Sequence, residues 1–62
     1  MSIRLIALEL YGIMKEVEAL ERQVQELPPH EQTSRATIQE KLRRAMADQE
    51  RIRRILEGAK SD

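Results

Sequence analysis

The side chains with the most chemical capacity in this sequence are a group of arginines, a lone histidine and a glutamine at a hydrophobic position. Arg43, Arg44, Arg51 and Arg54 fall on one face of a helix turning at roughly 100° per residue. An arginine stripe suits a polyanion, because each phosphate it neutralises releases counterions. Three features argue against nucleic acid. Glu40, Glu50 and Glu57 lie within or beside the stripe, and no aromatic residue follows Tyr11 to stack on a base. Two long antiparallel helices also lack helix-turn-helix geometry. A solvated face crossed by ion pairs is the better account of these arginines. Glu40/Arg44 and Glu50/Arg54, with Glu18/Arg22 earlier in the chain, have the acid-first i,i+4 order that favours such pairs. Nucleic-acid contact through Arg43, Arg44, Arg51 and Arg54 is the alternative reading.

His30 is the only histidine, and the chain has no cysteine. A metal needs several ligands at defined spacing, so neither a metal nor a cofactor is expected. The absent cysteines also exclude a disulfide scaffold. There is no Ser/His/Asp or Cys/His set, no glycine-rich phosphate loop and no paired carboxylates of recognisable spacing. The expectation is a non-enzymatic chain with no small-molecule substrate. Gln49 reads as a polar seam residue that pins register. Tyr11 reads as a half-buried packing residue with its hydroxyl at the rim.

Those residues need elements to position them. The chain has 62 residues, 11 basic and 11 acidic, with two glycines and two prolines. Good helix formers dominate, which predicts an all-α fold. Ile3, Ile6, Leu10, Ile13, Val17, Leu20, Val24 and Leu27 step by alternating threes and fours, the mark of a helix packed lengthwise on another. Pro28-Pro29 ends that helix. A second, weaker series runs Ile38, Leu42, Ala45, Gln49, Ile52, Leu56, Ala59.

The spacing predicts one domain over 1–62: a helix over about 3–27, a turn over about 28–33, a helix over about 34–57 and a frayed tail over 58–62. Thr33 or Ser34 is the expected N-cap, although Pro29 would also suit an earlier first turn. Gly58 is the expected C′ residue. The architecture is an antiparallel αα-hairpin with a coiled-coil-like seam. Folding about the turn pairs Val24 with Ile38, Leu20 with Leu42, Val17 with Ala45, Leu10 with Ile52 and Ile6 with Leu56.

One seam leaves part of the first helix unaccounted for. Met1, Leu5, Leu8, Gly12 and Ala19 fall on its far side, while Ala7 and Met14 widen the seam. Apolar residues on several sides of a helix mean burial on several sides. A chain this short has roughly 3–9 kcal/mol of stability to draw on. Small scaffolds that lack disulfides and metals commonly associate.

The expectation is therefore a protein–protein interaction or oligomerisation module that buries Leu5, Leu8, Gly12 and Ala19 by helix-on-helix packing. The partner is a second copy, giving a homodimeric four-helix bundle with the first helix inside, or a heterologous helical protein. Residues 1–27 carry a net charge of −2 and residues 35–60 a net charge of +4. The acidic flank at Glu9, Glu16 and Glu21 thus has a basic counterpart. No apolar run approaches the ~20 residues of a membrane span, and no signal-peptide pattern is present, so the expected location is cytoplasmic.

Overall fold

The computed structural model describes residues 2–60. Two helices account for almost all of them: α1, Ile3–Glu26, and α2, Gln32–Lys60. Ser2 caps α1. Its hydroxyl accepts from the Leu5 amide at 3.3 Å, and its carbonyl accepts from the Ile6 amide at 3.1 Å. The hydroxyl satisfies one otherwise unpartnered first-turn donor, and the carbonyl accepts the first regular helical bond. Pro28 forces the residue before it out of helical backbone. Leu27 accordingly sits at φ −71, ψ 137 and closes α1.

The connection is tighter than the sequence suggests. The Glu31 amide donates to the Pro28 carbonyl at 3.0 Å, and the Glu31 carbonyl accepts from Arg35 at 3.0 Å. Glu31 therefore opens α2, and the helix starts at Gln32 rather than near residue 34. Ser34 does not cap; its hydroxyl donates to Glu31 Oε2 at 3.2 Å. Thr33 is likewise inside the helix, its carbonyl accepting from the Thr37 hydroxyl at 3.1 Å. Across the turn, the Arg35 guanidinium donates to the Leu27 carbonyl at 3.3 Å and ties the end of α1 to the start of α2.

The far end of α2 also differs from expectation. Gly58 is helical, α2 continues to Lys60, and no glycine of the described residues has positive φ. A glycine is permitted at a left-handed C′ position but does not force one. The expected frayed tail is therefore helical through Lys60; Ser61 and Asp62 lie outside the described residues.

The seam forms in the expected antiparallel register. Ile6 packs with Ile52 and Leu56, with Leu10 and Ile13 partly buried against them. Nearer the turn, Val17, Leu20 and Ala45 form a second cluster flanked by Ile13, Ile38 and Leu42. Gln49 lies half-buried between the two clusters in sequence. The first seam position is the exception: Ile3 is 44% exposed. Only the small Ala59 stands at the matching place on α2, so the seam opens toward this end.

The Cα atoms span 50 × 14 × 13 Å, a rod two helices across. No described helix is long and apolar enough to cross a membrane.

Leu20→Ala should lower stability by about 2–3 kcal/mol, since it removes a buried seam side chain and leaves a cavity. Ile3→Ala should cost less than about 1 kcal/mol, because its side chain is already half in water. Urea unfolding followed by circular dichroism distinguishes the two. Equal losses would mean that the seam does not open at Ile3.

Candidate functional site

The far face of α1 is where hydrophobic surface remains after the hairpin forms. Leu5 is 66% exposed and Leu8 61% exposed. They stand one helical turn apart and are separated from the seam by the same periodicity that buries Ile6. Gly12 continues the face; a methyl group built on its backbone would meet no atom within 4 Å. Nothing inside the chain therefore requires glycine there, although a mid-helix glycine costs roughly 0.5–1 kcal/mol against alanine. Ala19 departs from the expected stripe in being half-buried. Met1, expected at its start, lies outside the described residues.

Beside this face an open groove of about 410 Å³ runs between the helices at the end opposite the turn. Ser2, Leu5, Ile6 and Glu9 of α1 line it with Ile52 and Ile55 of α2. Ile55, 43% exposed, is the residue that seam counting overlooked. It follows Ile52 by three and precedes Leu56 by one, so a single a/d line on α2 passes it by. Met46 is exposed for the same reason.

Tyr11 corrects another expectation. It does not pack half-buried at the seam but is 59% exposed, with the Lys15 ammonium 5.4 Å from its ring centroid. Four residues along a helix bring the two side chains together, and the ring face attracts the cation. Lys15 also draws Glu18 at 3.8 Å, so Glu18 pairs with Lys15 and not with Arg22 as expected. Met14 and Ala7, expected to widen the seam, are exposed. His30 is exposed in the turn.

The four arginines do share an exposed face, but each has an acid from its own helix. Glu40 accepts from Arg43 at 2.6 Å and 3.0 Å and from Arg44 at 3.1 Å. Arg51 reaches Asp48 at 3.0 Å, and Arg54 reaches Glu50 at 3.6 Å. The expected pairs Glu40/Arg44 and Glu50/Arg54 are thus present. The three-residue pairs are additions that the i,i+4 rule leaves out. Among the described residues every ion pair lies within one helix. The acidic flank of α1 therefore does not meet the basic flank of α2 inside the chain. The seam holds the two flanks apart, and the acids on α2 are nearer to its arginines. Acids that engage these arginines from within the helix make the face a weaker attractor for phosphate, although its charge is not cancelled.

The paired guanidiniums hold the Glu40 carboxyl well below its ordinary 4.5, at about 2; the hydrogen bond from Arg43 is the largest cause. The same bond raises the Arg43 guanidinium. The stabilisation belongs to the ionised carboxylate, so it is fully present above pH 4.5 and fades as pH falls through about 2. Wild type should therefore melt above Glu40→Gln at pH 7, and the gap between their midpoints should close on titration to pH 2. A gap that stays constant across that range would show that these pairs contribute nothing.

Compared with models of protein families, with curated proteins and with solved structures, the chain matches none of them.

Proposed function

We propose that this chain is a non-enzymatic assembly module, acting by helix-on-helix packing through the outer face of α1. The observation that carries the reading is the exposure of Leu5 and Leu8 after the hairpin has closed. Covering a leucine completely gains roughly 1.5–3 kcal/mol. Two such residues in adjacent turns are a material fraction of the stability available to 62 residues. Isolated surface leucines are ordinary. These two are continuous with Gly12, which offers another helix a close approach, and with the groove that ends at Ile55.

A standard interface takes about 800 Å² from each partner. That is about a sixth of the 4949 Å² this chain exposes. A homodimeric four-helix bundle would draw such an area from surface the chain already exposes, and closed two-fold dimers are the commonest soluble assemblies. Nucleic-acid binding is the less supported reading, because Arg43, Arg44, Arg51 and Arg54 already share acids within α2.

Sedimentation equilibrium at micromolar concentration should give a mass above 7.2 kDa, and the thermal midpoint should rise with concentration. Leu8→Glu should weaken association by roughly 100-fold or more by placing a charge in the contact. A fully helical 7.2 kDa species that Leu8→Glu leaves unchanged would overturn the proposal.

Gly12→Ala separates the two uses of that position. In the Leu8→Glu background it should stabilise the hairpin by roughly 0.5–1 kcal/mol, measured by urea unfolding. In the otherwise unaltered chain it should loosen association, measured by sedimentation. Tighter association would remove Gly12 from the contact.

A further inference from the structure

The outer face of α1 also carries charges that specify which way a second copy lies on it. Leu5, Leu8 and Gly12 are spaced three and four apart, so they form a seam line of their own. On such a line Glu9 and Glu16 occupy one shoulder, and Arg4 and Tyr11 occupy the other. Among the described residues Arg4, Glu9 and Glu16 have no ion-pair partner within the chain. This distinguishes them from the arginines of α2, which are already engaged.

We infer that the occupant of this face is a second copy of the chain, with its α1 parallel to the first, so that Arg4 of each copy meets Glu9 of the other. The inference rests on the assembly reading above and adds partner, direction and register to it. In a parallel pair the two opposite shoulders face each other, offset by five residues. That arrangement places Arg4 against Glu9 twice over, once on each side of the two-fold axis. It also places the Tyr11 hydroxyl level with the second copy's Glu16, which can accept a hydrogen bond from it.

In an antiparallel pair like shoulders meet. Glu9 would then face Glu16 of the other copy, and two carboxylates would repel at each end of the contact. Beyond Gly12 the same line continues through Lys15 and Arg22. Like charges would oppose one another there in the parallel pair. The closest packing is therefore over the first three turns or so of α1.

Arg4→Glu and Glu9→Arg should each weaken self-association about tenfold, and the two together should restore it to within roughly threefold of wild type. The substitutions lie on exposed positions, and circular dichroism checks that helicity is kept. Because the chain has no cysteine, Leu5→Cys gives a second readout. Under mild oxidation it should cross-link to itself, and a mixture with Ala19→Cys should give little mixed product. A double reversal no tighter than either single one, or a mixed product that predominates, would overturn the parallel arrangement. If the chain still sediments as a Leu8→Glu-sensitive dimer in that case, the assembly reading stands. A monomeric wild type overturns both.

Discussion

Two helices have only one line of mutual contact, and that limit governs the rest of this molecule. The seam from Ile6 to Leu20 on one side, and from Leu42 to Leu56 on the other, takes one stripe from each helix. Its side chains are large enough to exclude water in two clusters, with Gln49 lying between them in sequence. The apolar residues off that line lie on a flank or a back face, where a two-helix rod has nothing to put against them. The exposure of Leu5, Leu8 and Ile55 is therefore a geometric consequence of the architecture, not a lapse in packing. The proposed assembly follows from that remainder.

The turn sets which residues meet. Pro28-Pro29 stops α1, the Pro28 carbonyl folds the chain back through Glu31, and Arg35 bonds across to Leu27. With those contacts fixed, the register along the rod has little freedom, because a shift would move every pair from Val17/Ala45 onward together. Net charge points the same way. Acids on α2 pair with its arginines locally, so electrostatics contributes helix stability there and leaves the hydrophobic line to choose the fold.

The hairpin, its register and the second apolar face were legible in the sequence, because strict three-and-four spacing translates directly into helix faces. What was hidden depended on detail finer than period. The start of α2 turned on a single carbonyl at Glu31, whereas hydroxyl capping pointed to Thr33 or Ser34. Gly58 resembled a stop, but glycine allows a left-handed residue without requiring one. Tyr11 reads as a seam-flanking residue by its type, but its helical angle lies roughly 140° from the seam centre, on the exposed side where Lys15 meets its ring. Ile55 was invisible because counting seeks one line per helix, and the groove needs a residue that lies off it. At the candidate site, Leu5, Leu8 and Gly12 were legible as a face. Ala19 was not separable from them by period, although it is half covered.

The groove and both described ends of the chain lie together, since Ser2 lines it and Ile55 precedes Lys60 by little more than one turn. His30 stands at the opposite tip of a rod 50 Å long. A fluorophore, affinity handle or surface tether joined near residue 2 or residue 60 would crowd the groove and the exposed face of α1. One attached at the tip, in place of His30, would report on the molecule from a distance and leave that face open.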